Sequence, residues 1–243
     1  MTICELRRYT LRPGRRDALI ELFEREFVES QEAAGMRVTG TFRDPDAPDT
    51  FTWLRGFPGM PARKAALESF YSGPVWLAHR DEANATMLDS DDVLLLRKLT
   101  GPVLRPRPPV GSRALPAATY VATIYPVDGD LAGHFAAVVA PALAEAGVPP
   151  VASFVTERAE NTFPRLPVRS GVNVFVWFAR SEQPENADPA ADPAADPAAD
   201  PAADLAADVA ADVAAVDLPL VGSRLTGAPQ RLRLRPTARS AMR

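Results

Sequence analysis

Three short stretches carry side chains that could do chemistry together. In residues 4–11, CELRRYTL, the acid Glu5, the guanidinium Arg7 and the phenol Tyr9 recur at every second position. In residues 50–57, TFTWLRGF, the same period brings Phe51, Trp53 and Arg55 into line. Alternate residues of a strand share one face, so each stretch presents its set to a single side of a sheet. Guanidiniums fixed beside flat rings can polarise a carbonyl or hold a developing oxyanion, and a phenol can pass a proton. The plainer alternative is a half-buried ion pair of Glu5 with Arg7 at the rim of the sheet.

The third stretch is YSGPVWLAH, residues 71–79. Trp76 and His79 are three apart, which on a helix sets them on one face, and Tyr71 adds a ring nearby. A histidine such as His79 suits the work of an acid, a base or a metal ligand, although a lone helical histidine is often simply structural or solvated. The other histidine, His134, has no such aromatic company. The catalytic candidates are therefore His79, Arg55 and Tyr9, and the substrate-binding candidates are Glu5, Arg7, Trp53, Tyr71 and Trp76, with no metal ligands assigned.

Other chemistries lack their residues. RPGRR and GPVLRP have the wrong spacing for a phosphate-cradling loop, and no nucleophile elbow occurs. Two histidines and one cysteine make a structural zinc site a poor expectation. Cys4 has no disulfide partner and no neighbouring base, so it reads as a buried strand residue in a reducing compartment. The longest apolar runs fall short of the roughly 20 residues that cross a bilayer, and the N-terminal stretch lacks an apolar signal core, which places the protein in the cytoplasm. Of the 31 acids, ten lie in residues 182–217, a segment without lysine or arginine; the remaining 21 face 27 bases, much of whose excess is in arginines of 97–113 and of the C-terminal stretch from Arg231 to Arg243 rather than in one basic helix or stripe. Nucleic acid is accordingly not an expected partner.

The elements that must position these side chains follow from period and punctuation. Residues 4–11 alternate and end at Pro13-Gly14, a strand and a turn. Leu19, Leu22, Phe23, Phe27 and Val28 recur at helical spacings and Gly35 supplies the stop. Strands at 36–43 and 50–57 flank DPDAPD, helices follow over about 61–70 and 74–84, and DVLLLRKL closes the unit as a strand. Residues 119–127, 130–146, 151–157, 172–180 and 230–236 repeat the order. Gly147 answers Gly35, and Phe175-Val176-Trp177 answers Phe51-Thr52-Trp53. The second hairpin loop, which contains NTFPRLPVRSG, is longer by 12 residues.

The pattern predicts an α+β chain of two tandem ferredoxin-like βαββαβ units, residues 1–100 and 118–243, joined by a proline-rich linker at 101–117. Each sheet has one apolar face left to cover, so the two units pack sheet to sheet as a dimer built into one chain, and further association of two chains stays open. In the second unit the Ala-Asp-x-Ala repeat of 187–214, inside the insertion 182–217, stands where the first unit has its second helix. Proline at 189, 193, 197 and 201 excludes a helix there. Leu205, Val209, Val213 and Val216 fit a short helix on the sheet.

ELRRYTLRPG with its following helix, and TFTWLRGF followed by ARKAALESFYSGPVWLAHRD, resemble the NIPSNAP family of the dimeric α+β barrel superfamily, over residues 3–99 and more faintly over 119–235. The resemblance implies a broad range of activities, since related barrels include cofactor-independent oxygenases, polyketide cyclases, isomerases and haem enzymes. The leading expectation is a small-molecule tailoring enzyme of secondary metabolism, a cofactor-independent oxygenase or cyclase acting on an aromatic, polyketide-like substrate. The alternatives are a non-catalytic binding or scaffold protein and a haem enzyme with His79 as ligand.

Overall fold

The structure is a computed structural model that describes residues 1–182 and 213–243. The first half runs β1 (Ile3–Leu11), α1 (Arg16–Leu22, Phe23–Phe27 and Val28–Ala33), β2 (Arg37–Arg43), β3 (Thr50–Phe57), α2 (Met60–Ser72), α3 (Pro74–Asn84) and β4 (Met87–Thr100). The second runs β5 (Ala118–Pro126), α4 (Ala132–His134, Phe135–Val139 and Ala140–Glu145), β6 (Pro150–Thr156), β7 (Val174–Glu182), a helix α5 over residues 213–221, and β8 (Gln230–Pro236). No helix or strand forms in 101–117. Leu205 and Val209 of the expected replacement helix lie outside the described residues; Val213 is buried and Val216 packs with it.

Within the described residues the expected strands and helices form, with β4 starting five residues earlier than DVLLLRKL suggested. α1 and α4 end at Gly35 and Gly147, whose φ of 94° and 82° lie in the left-handed region that glycine enters without penalty. Each helix also contains one π turn, closed by Val28 N–H donating to the Phe23 carbonyl and by Ala140 N–H donating to that of Phe135. The two turns begin the same twelve residues before their glycines.

The sheets do more than face one another. The eight strands of the described residues join edge to edge into a closed antiparallel barrel in the order β1-β3-β2-β8-β5-β7-β6-β4, β4 returning to β1. The two seams are β4 with β6, where Leu96 pairs Thr156, and β2 with β8, where only Phe42–Pro236 and Arg43–Arg235 pair. Where β8 leaves off, residues 237–242 continue along β2. Thr237 N–H donates to the Thr41 carbonyl, Met242 N–H donates to that of Thr39, and Ser240 Oγ accepts from Thr41 N–H. A closed barrel leaves no free strand edge.

Strand alternation then makes three cores. Even residues of β1, Cys4 and Leu6, fill the barrel interior with Tyr120, Phe154, Phe178 and Met242. Odd residues face outward to α1, α2 and α3, forming a core around Tyr9, Phe23, Phe51 and Trp53. The corresponding side of the second half packs Tyr125, Phe135, Phe175 and Trp177 under α4 and α5. The candidate residues of the first half thus lie between sheet and helices, not within the barrel.

Candidate functional site

Glu5, Arg7, Tyr9, Trp53 and Arg55 converge because β1 and β3 pair antiparallel with Glu5 opposite Arg55, Arg7 opposite Trp53 and Tyr9 opposite Phe51. The ion pair expected at a half-exposed rim is instead fully buried, and it has more members. Glu5 Oε2 accepts from Arg7 Nη1 at 2.8 Å and from Arg55 Nε at 2.8 Å, with Arg55 Nη2 at 2.7 Å. Its Oε1 accepts from Nε of Arg63, on α2, at 2.6 Å. Glu5, Arg7, Arg55 and Arg63 are all 0% exposed. One carboxylate therefore stands against three guanidiniums out of contact with water.

The surroundings finish most of the bonds. Arg7 Nε donates to Tyr9 Oη at 3.0 Å, and Arg55 Nη1 donates to Gln31 Oε1 at 3.1 Å. The Arg55 guanidinium lies 5.0 Å from the Trp53 ring and that of Arg7 5.6 Å from it, a stacking that suits planar cations. Three buried donors of the cluster, Trp53 Nε1, Arg55 Nη2 and Arg63 Nη2, make no hydrogen bond, and of the two guanidinium nitrogens only Arg55 Nη2 has the Glu5 carboxylate beside it, at 2.7 Å. Burial works to raise the Glu5 carboxyl, but Arg55, Arg7 and Arg63 together outweigh it and hold the group well below the ordinary carboxylate range. Burial acts the other way on Arg63, lowering it despite Glu5, and raises the Tyr9 phenol despite Arg7.

Tyr71 and Trp76 complete an aromatic wall, with ring centroids 4.9 Å apart, beside Phe27 and Phe70. Between this wall, Tyr9, Trp53 and Gln31 is a cavity of about 30 Å³. His79 departs from expectation. It does not line that cavity with Trp76; its Nε2 is 3.7 Å from Glu26 and its Nδ1 3.6 Å from Glu82, at the partly exposed outer rim. Among the described residues no group of three His, Cys, Asp or Glu side chains could hold a metal ion. Cys4 faces the barrel interior, and burial, with Glu5 adding to it, pushes its thiol up to about 12.

Arg63 was missed by strand-by-strand reading, although a signal existed. It shares the apolar stripe of α2 with Ala66, Leu67 and Phe70, at spacings of three, four and seven, where a charge is out of place. A second feature missed is the loop 157–173 between β6 and β7, which crosses to the first half. Arg63 Nη1 donates to Asn161 Oδ1 at 2.9 Å and to Thr162 Oγ1 at 3.4 Å, and Phe163 stacks on Tyr71 at 5.8 Å and 21°. The extra residues of the second hairpin thus cover the first half's site.

Residues 4–100 match the NIPSNAP family model. Two "putative monooxygenase" crystal structures share the whole fold: one from Lactobacillus acidophilus NCFM at 13% identity and a TM-score of 0.56, covering 100% of this chain and 97% of that one, and one from Fusobacterium nucleatum subsp. nucleatum at 7% identity and 0.57, covering 97% and 92%. A NIPSNAP-like domain protein from Burkholderia xenovorans is 24% identical over 45% of this chain and 93% of its own, with a TM-score of 0.37. No curated protein matches the chain. No helix among the described residues is long and apolar enough to cross a membrane.

Proposed function

We propose that the protein is a small-molecule tailoring enzyme whose site lies between the sheet and helices of the first half, a cofactor-independent oxygenase or cyclase acting on a phenolic, polyketide-like aromatic. The observation that carries this reading is the buried excess of guanidinium charge beneath the wall of Trp53, Tyr71 and Trp76. Arg7 and Arg55 would stabilise the phenolate or enolate form of such a substrate while the rings stack on its plane. Tyr9, bonded to Arg7, is placed to hold or return a proton. In an oxygenase of this type the deprotonated substrate supplies its own electrons: an activated CH2 plus O2 gives C=O plus H2O, with no external reductant. The two halves are then tandem copies of one unit, of which the first keeps the site, and a cytoplasmic setting keeps Cys4 reduced.

One observation favours the second reading, a binding protein without catalysis: the space between wall and sheet is about 30 Å³, so any substrate must displace side chains or the loop 157–173. Oxygen uptake decides between them. Purified protein is offered phenolic aromatics with an activated methylene under air; uptake that Arg55→Ala abolishes and His79→Ala leaves near normal supports the enzyme. No uptake above the spontaneous rate across the series rejects the oxygenase, and unchanged ring closure of linear precursors rejects the cyclase.

A further inference from the structure

We propose that Arg63 is the seat for a carboxylate carried by an aromatic small molecule, and that loop 157–173 holds this seat with neutral oxygens until the acid displaces them. The inference deepens the small-molecule reading of the same site.

Charge comes first. Glu5 neutralises one of three buried guanidiniums, and the other groups that meet them, Tyr9, Gln31, Asn161 and Thr162, are uncharged. A buried cluster with two cations in excess is completed by an anion. Geometry picks the member that would take it. Arg7 and Arg55 spend their bonds on Glu5, Tyr9 and Gln31, whereas Arg63 gives only Nε to Glu5. Its Nη1 rests on Asn161 and Thr162, and its Nη2 is buried with no acceptor at all. Two neighbouring N–H groups, one on a neutral stand-in and one empty, form the fork that a carboxylate fills with two parallel bonds.

The cover is separable from the seat. Residues 157–173 contain no helix or strand, and Pro164, Arg165, Pro167, Arg169 and Ser170 are exposed. The loop arches over a cavity of about 660 Å³ whose lining includes Asn161, Arg158, Arg169 and Leu95, the last paired with Glu5 across β1 and β4. That volume holds a molecule of two or three fused rings. That lining carries two acids, Glu157 and Glu160, beside Arg158 and Arg169, so the entrance has no net charge and the preference for an acid rests on Arg63, which Asn161 links to the cavity.

The test uses matched acid and amide pairs of one shape, benzoate with benzamide, salicylate with salicylamide and 2-naphthoate with 2-naphthamide, read by thermal shift and tryptophan fluorescence on the full chain. At least one acid should bind about tenfold or more tighter than its amide, as expected for a charge-assisted pair. Arg63→Gln should remove the preference. Asn161→Ala, checked by unchanged circular dichroism because Asn161 also accepts from Phe163 N–H and donates to the Leu166 carbonyl, should tighten the acid severalfold by removing its competitor, while leaving the amide alone. Acids and amides binding alike, or Asn161→Ala failing to tighten an acid that binds, overturns the proposal. Acid preference without oxygen uptake or ring closure leaves it standing and fails the catalytic reading instead.

Discussion

The two halves of the barrel carry the same skeleton at the same register and opposite chemistry within it. Phe23, Phe51 and Trp53 cluster under α1, with Phe23 and Trp53 centroids 4.8 Å apart; Phe135, Phe175 and Trp177 cluster under α4, with Phe135 and Trp177 at 5.6 Å. Opposite Trp53 stands Arg7, and opposite Trp177 stands Thr123. The pair Glu5 and Arg55 is matched by Val121 and Ala179. Tyr9 is matched by Tyr125, which donates to Asp217 of α5 instead of accepting from an arginine. The second half builds the same layer around one buried acid, Asp217, paired with Arg231 at 2.7 Å, and places no charge at the strand positions of Glu5, Arg7 and Arg55. The fold does not require Glu5, Arg7 and Arg55, so their presence in one half alone points to binding or catalysis.

The largest effect should come from breaking the cluster unevenly. Glu5→Gln leaves three buried guanidiniums without their anion and should cost about 3–5 kcal/mol in urea unfolding. Converting the first half to the second, with Glu5→Val, Arg7→Thr, Arg55→Ala and Arg63→Met together, should instead cost far less than Glu5→Gln, or stabilise, while abolishing acid binding. A quadruple variant less stable than Glu5→Gln would mean that the charges serve the fold.

Next in size is the bridge between halves. Phe163→Ala removes a buried ring and should cost up to about 3 kcal/mol, with faster amide exchange confined to 157–173 and the neighbouring end of α2. No counterpart exists in the first hairpin, whose connection is only 44–49.

A smaller effect is pH dependence. The folded Glu5 lies far below its ordinary 4.5, so its contribution is complete above that value and is lost as pH falls through the folded one. The stability gap between the parent and Glu5→Gln should hold flat above about pH 5 and narrow progressively in stronger acid. The smallest readout is at Cys4: with its thiol pushed up to about 12, iodoacetamide should leave it unmodified in the native protein and label it on unfolding.

The division between what the sequence displays and what it conceals follows the range of the forces involved. Period two in CELRRYTL and the glycine stops at 35 and 147 are local, and each survives in the structure to within a residue or two. The placement of Trp53 beside Arg7 also follows, because an antiparallel hairpin fixes register. Arg63 needed knowledge of which face α2 buries. Its place on an apolar stripe was visible, but an arginine in ARKAALES also reads as an ordinary solvated helix residue. The direction of His79 turned on Glu26, more than fifty residues away on α1. The crossing of Phe163 to Tyr71 depends on barrel closure, which no local pattern encodes, although an overlong hairpin loop with a phenylalanine at its centre was its trace.

The seam of β2 with β8 and residues 237–242 also sets a timetable for synthesis. β2 leaves the ribosome early, yet the strand and segment that pair with it are nearly two hundred residues behind. Until they emerge, the first half presents the unpaired edge of β2. Barrel closure is therefore a late event on the nascent chain, and the interval before it is when a chaperone or a second nascent copy could engage that edge.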